Sequence, residues 1–149
     1  MKFDKIGQVG VVVEDVERAG EFLHEKFGIG PFAFLDFTNG KAVYKGREVD
    51  YKLKMGLYNF NGLVIELMQP YEGRTINNDP DYLPPGGQGL HHLGFFVEDA
   101  EKLAAEWEAN GAKVLQRSRP APGSLTVYLD TPEYAGILIE LIQTGSGEK

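Results

Sequence analysis

The sequence predicts an α+β fold made of two tandem βαβββ modules. The chain matches itself at an offset of 84 residues, from position 8 to position 92, and each copy runs from a strand and a helix into three further strand-forming segments. Residues 8–26 read QVGVVVEDVERAGEFLHEK and residues 92–110 read HLGFFVEDAEKLAAEWEAN. A period this long is too large for a solenoid repeat, so two fused copies are the simpler interpretation.

Each copy opens with an apolar strand followed by an acidic residue suited to begin a helix. Asp15 and Asp99 are those residues, and apolar side chains at helical spacing follow them. Gly28 and Gly111 mark the expected helix ends, because glycine readily adopts the left-handed conformation found there. We therefore expect one helix near the start of each half.

Three strand-forming runs follow each predicted helix. They are residues 32–37, 49–58 and 63–68 in the first half and residues 113–116, 125–129 and 136–142 in the second. The Asn61-Gly62 step between two of the runs is typical of a type I′ hairpin. Proline and glycine at 84–89 predict the connection, so we expect a single domain over 1–149, with modules at about 1–82 and about 90–145.

Composition narrows the range of partners and chemistries. A formal net charge of −7 disfavours nucleic acid and anionic membrane surfaces as partners. The absence of cysteine excludes disulfides, thiolate metal sites and cysteine nucleophiles. The opening residues do not resemble a signal peptide and no apolar run has the length of a membrane span, so we expect a cytoplasmic protein that acts on a small molecule.

Polar side chains interrupt the apolar strands at matched positions in the two copies. Gln8 and His92 are equivalent, and each is followed two residues later by a glycine. Glu66 lies within LVIELMQ and Glu140 within ILIELIQ, in the last strand of each half. A carboxylate buried in such a strand is costly unless a cation, hydrogen bonds or a raised pKa compensates.

These four side chains form a suitable ligand set for one divalent metal ion. Gln8, Glu66, His92 and Glu140 supply an amide oxygen, two carboxylates and an imidazole, which bind such ions at about 2.0–2.2 Å. Each of them alone is more often an ordinary polar residue, but four at matched positions favour a metal site. Zinc, cobalt, nickel and manganese all accept such donors. We expect His91 on the opposite strand face and His24 on a helix surface.

The pattern resembles the vicinal oxygen chelate superfamily, which includes glyoxalase I, methylmalonyl-CoA epimerases, extradiol dioxygenases and bleomycin-resistance-type binding proteins. The resemblance covers nearly the whole chain. It implies a glyoxalase-type fold, in which two modules form a curled mixed sheet around a central metal-binding cavity. It also implies that the ligands are Gln8, Glu66, His92 and Glu140, and that the protein is a homodimer.

Within this superfamily the connecting segments are similar to those of methylmalonyl-CoA epimerases. The phrases are GLHHLGFFVED, TPEYAGILIEL and DPDYLPPGGQGLHH. Two positions depart from the epimerase pattern, because Gln8 stands where histidine is usual and Glu66 where glutamine is frequent. The resulting ligand set resembles glyoxalase I. Exchanges among glutamine, glutamate and histidine at the ligand positions still leave a metal site of nitrogen and oxygen donors, so the connecting segments carry more weight. Their similarity implies an epimerase-like enzyme. A lactoylglutathione lyase of the glyoxalase I type is the alternative.

Both enzyme classes share a step in which a metal polarises a carbonyl and an enolate or enediolate forms. The resemblance implies Glu140 as the base and Glu66 as a second catalytic group on the other side of the reacting carbon. Strand alternation from the hairpin places no further carboxylate on the third strand, and Glu48 or Asp50 would need a bulge to face the site.

The implied substrate is a small molecule carried on CoA or glutathione, as a thioester or an adduct. Cationic side chains expected in rim loops would bind such a carrier; they are Lys41, Lys45, Arg47, Arg74, Arg117 and Arg119. Two hypotheses outside this chemistry stay open. A metal-free binder of the antibiotic-binding type would not need both glutamates, and a ring-cleaving dioxygenase would need a second histidine in place of Gln8.

Overall fold

The computed structural model describes residue 3 and residues 5–145. The outer ends of the predicted domain, residues 1, 2, 4 and 146–149, lie outside the described residues. The elements follow the order β1 (Gln8–Val12), α1 (Val16–Phe27), β2 (Ala33–Tyr44), β3 (Arg47–Phe60), β4 (Leu63–Glu72), a 3-10 turn (Pro85–Gly87), β5 (Gly89–Phe96), α2 (Ala100–Ala109), β6 (Val114–Ser118), β7 (Leu125–Leu129), α3 (Pro132–Ala135) and β8 (Leu138–Gln143).

The strands close into one barrel in the order β1-β4-β3-β2-β6-β7-β8-β5. Strand β1 runs parallel to β4, and β5 runs parallel to β8. The two halves meet along two antiparallel seams, β1 with β5 and β2 with β6. The predicted α+β class and the curled mixed sheet are therefore confirmed.

Both predicted helices begin at the expected caps. The Asp15 carboxylate accepts a hydrogen bond from the Arg18 amide at 3.1 Å, and Asp99 accepts one from the Lys102 amide at 3.0 Å. Gly28 ends α1 in the left-handed conformation, with φ 69°. The last residue of α2 is capped by Asn110, one position before the predicted glycine.

Two glutamines tie the helices to the barrel in the same way. The Gln69 side chain accepts a hydrogen bond from the first amide of α1, at Val16, and Gln143 accepts one from the first amide of α2, at Ala100. Each glutamine lies three residues beyond the glutamate of its strand, Glu66 or Glu140. The two modules thus share this contact as well as their order of elements.

The hairpin between β3 and β4 follows the prediction. Asn61 and Gly62 both have positive φ, 53° and 95°, as a type I′ turn requires. Phe60 pairs with Leu63, and Glu66 consequently lies beside Leu57. This register turns Glu66 toward the barrel interior.

Several basic residues lie in strands and not in the loops where we expected them, partly because β2 and β3 form a second hairpin. Lys45 and Gly46 form its turn with φ values of 50° and 80°. Lys41 therefore lies in β2 and Arg47 in β3, and Arg117 lies in β6, whereas we expected all three in loops. Strands β2 and β3 extend beyond the apolar runs from which they were predicted.

No helix among the described residues has both the length and the apolar character needed to cross a membrane.

Replacing Gln69 by methionine should lower the free energy of unfolding by about 1 kcal/mol, because the first amide of α1 loses its acceptor. Gln69→Glu keeps an acceptor at the positive end of the helix and should stay close to wild type. Urea denaturation followed by circular dichroism measures both. Equal losses in the two variants would contradict the assigned hydrogen bond.

Candidate functional site

The four predicted ligands lie on four adjacent strands. Gln8 belongs to β1, Glu66 to β4, His92 to β5 and Glu140 to β8. Strand register explains their meeting, because both Glu66 and His92 lie opposite Gly10 of the central strand β1. Gln8 and Glu140 likewise both lie opposite Gly94. The β1–β5 seam therefore carries one donor from each strand and receives one carboxylate from each flank.

The donor atoms gather around Nε2 of His92. Gln8 Oε1 lies 2.9 Å from this nitrogen, Glu140 Oε2 lies 3.0 Å away and Glu66 Oε1 lies 3.7 Å away. His92 is fully buried, and Gln8 and Glu140 are 8% and 6% exposed. The structure brings together all four side chains that the sequence singled out, while their roles as ligands stay a prediction.

The two seam glycines make room across the seam. A Cβ on Gly10 would lie 2.0 Å from the His92 ring, and one on Gly94 would lie 2.9 Å from Cβ of Gln8. Each glycine thus accommodates the donor of the other module.

The electrostatics of the site reflect two carboxylates buried beside one imidazole. The pKa of Glu66 is raised to about 7, chiefly by burial and also by the Glu140 charge, while attraction to His92 opposes the shift. Burial lowers the pKa of His92, but attraction to Glu140 and Glu66 outweighs it and the net shift is upward. The site therefore favours added positive charge.

His91 also faces the interior, which corrects its expected position on the opposite face. The pairing of β1 with β5 shifts between Gly10, which faces His92, and Val11, which faces Leu90. His91 is the extra residue of this β-bulge and is 2% exposed. Its pKa is lowered to about 4, chiefly by burial and also by the neighbouring His92, while a hydrogen bond to a backbone carbonyl opposes the shift. His24 lies on the exposed surface of α1, as expected.

Tyr128 contacts His92 and Glu140, two of the four predicted ligands, although the sequence placed it in neither the ligand set nor the catalytic set. It lies opposite Glu140 in the β7–β8 pair, and its hydroxyl is 3.5 Å from Nδ1 of His92. Burial raises the pKa of Tyr128 well above its ordinary value, and the Glu140 and Glu66 charges add to the shift. The sequence does not fix this register, because α3 lies in the connection between β7 and β8 and no tight turn sets the pairing.

The donor set fits a divalent cation by spacing and by chemistry. Ligand atoms about 2.1 Å from an ion lie about 3.0 Å apart in an octahedral arrangement and about 3.4 Å apart in a tetrahedral one. The distances from His92 Nε2, 2.9, 3.0 and 3.7 Å, bracket these values. In the described part of the chain, Glu140 Oε2 is buried and receives no well-aligned hydrogen bond.

The amide of Gln8 is needed to complete this set. Across residues 3 and 5–145, histidine and acidic side chains alone form no group of three placed to hold a metal ion. Glu66 is the most distant donor, at 3.7 Å from His92, and Gln8 supplies the close oxygen. The site is therefore a mixed amide, carboxylate and imidazole set.

Sequence comparison assigns the family. Residues 7–128 match the profile described as the Glyoxalase/Bleomycin resistance protein/Dioxygenase superfamily. The chain belongs to this superfamily. No curated protein sequence matches it.

Solved structures of the same superfamily fold include methylmalonyl-CoA epimerases. One such epimerase, in complex with methylmalonyl-CoA and NH4+, is 22% identical, with 99% of each chain covered and a TM-score of 0.68. A Streptomyces coelicolor epimerase variant in complex with 2-nitronate-propionyl-CoA is 22% identical over 97% of this chain and 99% of that chain, with a TM-score of 0.67. The Mycobacterium tuberculosis epimerase is 19% identical over 96% and 89%, with a TM-score of 0.64.

In this superfamily member, strand β3 contributes no carboxylate to the interior. Bulges occur in β2, between Phe37 and Gly40, and in β4, beside the Lys52–Leu53 step, but β3 keeps its alternation. Asp50 is exposed and pairs with Lys41 at 2.9 Å. Glu48 is exposed as well. Neither residue reaches the donor cluster.

Some of the cationic side chains are engaged on the barrel surface. Arg117 pairs with Glu101 at 3.0 Å and with Glu108 at 3.2 Å, both on α2. A cavity of about 480 Å³ over β2, β3 and β6 is lined by three cationic residues, Lys41, Arg117 and Arg119, by the acidic Glu48 and Asp50, and by apolar and hydroxyl side chains. The four donor residues do not line this cavity.

In chelator-treated protein, Glu66 should make stability depend on pH. Its carboxyl has an ordinary pKa of 4.5 and a pKa of about 7 when folded, so its contribution is full below pH 4.5 and is lost as the pH rises through 7. Glu66→Gln removes this loss, and we expect the two stability curves to diverge by roughly 1–3 kcal/mol between pH 5 and pH 8.

Urea titrations at several pH values measure this difference. Glu72→Gln, an exposed substitution on the same strand, is the matched control and should leave the pH dependence unchanged. Parallel curves for wild type and Glu66→Gln would contradict the buried carboxylate pair.

Proposed function

We propose that this chain is a divalent-metal-dependent isomerase or lyase that acts through an enolate or enediolate, with a reaction like that of methylmalonyl-CoA epimerase. The observation that carries the proposal is the meeting of three oxygen donors around Nε2 of the buried His92. Two negative charges in an apolar interior require a positive counterpart. A divalent cation supplies it.

Gln8, Glu66, His92 and Glu140 would hold that ion. When bound, it would polarise a substrate carbonyl and favour the enolate that forms on proton loss. Zinc, cobalt, nickel and manganese are all compatible with one nitrogen and three oxygen donors. The proposal leaves the choice among them to measurement.

The two glutamates are the groups proposed to move the proton. Glu140 Oε2 is buried beside His92 and lacks a well-aligned hydrogen-bond donor in the described chain, which leaves it able to take a proton from a substrate carbon. Glu66 comes from the other module and faces the site from the opposite flank of the β1–β5 seam. An epimerase needs such an arrangement, because one group removes the proton and the other returns it on the opposite face.

The proposed substrate class is based on the structural similarity to methylmalonyl-CoA epimerases. Structures that share this fold were solved with methylmalonyl-CoA or a related acyl-CoA bound. The cavity over β2, β3 and β6 holds three cationic groups that would contact the phosphates of such a carrier, namely Lys41, Arg117 and Arg119. Carrier binding would compete with the ion pairs that Lys41 and Arg117 make with acidic side chains. We propose a small CoA thioester as the substrate.

A glyoxalase I-like lyase is the second candidate, and one observation favours it. Both interior carboxylates belong to the donor set, and the inward positions of β3 carry apolar or tyrosine side chains instead of a further acid. A lyase that moves a proton between adjacent carbons needs only one such base. Its substrate would be a glutathione adduct.

The wider organisation proposed is a single domain that forms a homodimer in the cytoplasm. Closure of the barrel across both seams supports a single domain, since strands of the two halves complete one sheet. The dimer and the location rest on the resemblance alone. Sedimentation analysis would measure the oligomeric state.

Metal content and proton exchange test the proposal together. Purified protein, and protein reloaded with Co²⁺, should contain about one divalent ion per chain by elemental analysis. In deuterated buffer the wild type should exchange the α-proton of methylmalonyl-CoA, and Glu140→Gln should lower that rate at least about 100-fold. Glu72→Gln, exposed on β4, is the matched carboxylate control and should exchange normally.

The outcomes separate the candidate functions. Bound metal without exchange, but with turnover of the methylglyoxal–glutathione adduct, would replace the epimerase with the lyase. Protein that takes up no metal under any loading condition would contradict both enzymes and favour the metal-free binder.

A further inference from the structure

His91 and His92 contact each other inside the barrel. Their Nδ1 atoms lie 2.9 Å apart, and their rings meet nearly edge to face. The bulge in β5 makes this possible, because it turns two consecutive side chains to the same side of the strand. His91 stands behind His92, on the side away from the oxygen donors.

The hydrogen-bond partners of His91 decide which nitrogen carries each proton. Nε2 of His91 lies 2.9 Å from the carbonyl oxygen of Ile76. A carbonyl oxygen only accepts, so this nitrogen is the donor. His91 is 2% exposed and contacts His92, Tyr128 and the Ile76 carbonyl. A second proton would create a buried charge that no carboxylate of residues 3 and 5–145 pairs with.

A neutral His91 therefore presents a lone pair at Nδ1. The hydrogen bond between the two rings then requires the proton to sit on Nδ1 of His92. Tyr128 offers the same nitrogen a longer contact, at 3.5 Å. With Nδ1 protonated, the neutral form of His92 has its lone pair on Nε2, the atom that faces Gln8, Glu66 and Glu140.

The Ile76 backbone, where this chain of hydrogen bonds ends, is itself held in place by side chains. The amide of Ile76 donates to the side-chain oxygen of Gln116 at 3.0 Å, while its carbonyl accepts from His91. The Ile76 side chain is fully buried in a cluster with Leu115 and Leu138. The two peptide groups that flank Ile76, in the segment between β4 and β5, are thus each held by a side chain.

We infer that His91 is a positioning residue, which accepts the Nδ1 proton of His92 and so presents the Nε2 lone pair of His92 to the proposed cation. This inference rests on the proposed function, because it concerns how a ligand is presented to the metal. Ligating histidines are commonly oriented by a hydrogen bond at the second ring nitrogen. In this chain a second histidine, anchored to the Ile76 carbonyl, accepts that bond.

The tautomers can be measured in metal-free protein, so this test does not depend on the enzyme. The chain has three histidines, and His24→Gln removes the exposed one from the ¹⁵N spectrum of histidine-labelled protein. We expect His91 protonated at Nε2 alone and His92 protonated at Nδ1. A His92 with bare Nδ1, or a His91 protonated at Nδ1, would overturn the inference.

Two variants of matched size then measure the effect on the metal. His91→Asn keeps an acceptor oxygen near the position of Nδ1, whereas His91→Leu has no acceptor, and both lose the bond to Ile76. We expect Co²⁺ affinity, followed by visible absorption titration, to fall about 10–100-fold in His91→Leu and to stay within a few-fold of wild type in His91→Asn.

Equal losses in the two variants would overturn the positioning role, because the shared loss of the Ile76 bond would then explain them. Should His91→Leu fail to fold, the tautomer measurement on the other proteins still decides. A wild type that binds no Co²⁺ but shows the expected tautomers would reject the proposed function and keep the hydrogen-bond assignment.

Discussion

Two carboxylates and an imidazole lie together in the barrel interior at the β1–β5 seam. The strand pairing and the glycines of the seam are arranged around them. Glu66 and Glu140 enter from strands parallel to the two seam strands, so each carboxylate is carried by the last strand of its own module. Burial of like charges is unfavourable, which is visible in the raised pKa of Glu66. Attraction to His92 relieves part of that cost, and a divalent ion would relieve it more fully. The closed barrel leaves His92 fully buried and Gln8 and Glu140 less than a tenth exposed, while Glu66 keeps some contact with solvent.

The repeat explains why the site forms at the junction of the modules. Pairing β1 with β5 in antiparallel register brings Gly10 opposite His92 and Gln8 opposite Gly94. Each module supplies two donors on neighbouring strands and the glycine that the partner's donor requires, so all four donors meet only where the modules pair. The bulge at His91 breaks this symmetry, because β5 gains an inward histidine that β1 lacks. The second module thereby supplies both the central nitrogen and the group that orients it.

Sequence patterns predicted the parts that depend on local rules. Asp15, Asp99 and the Asn61-Gly62 turn follow from capping and turn chemistry, and the matched positions of Gln8 and His92 follow from the repeat. The position of His91 did not follow, because strict alternation assumes a regular ladder and a bulge shows no local signal here. The Lys45-Gly46 turn was missed because lysine is uncommon at positive φ, and the strands on either side were therefore drawn too short. Tyr128 and the two helix-binding glutamines depend on register between distant strands, which a single sequence does not reveal.

The central claim is that four side chains from both modules form one cation site. Anomalous diffraction from crystals of the Co²⁺-loaded protein tests it most directly. The account predicts one anomalous peak at about 2.0–2.2 Å from His92 Nε2 and from oxygens of Gln8, Glu66 and Glu140. Cobalt bound at some other place, with this cluster unchanged from its direct contacts between His92 and the carboxylates, would contradict the claim.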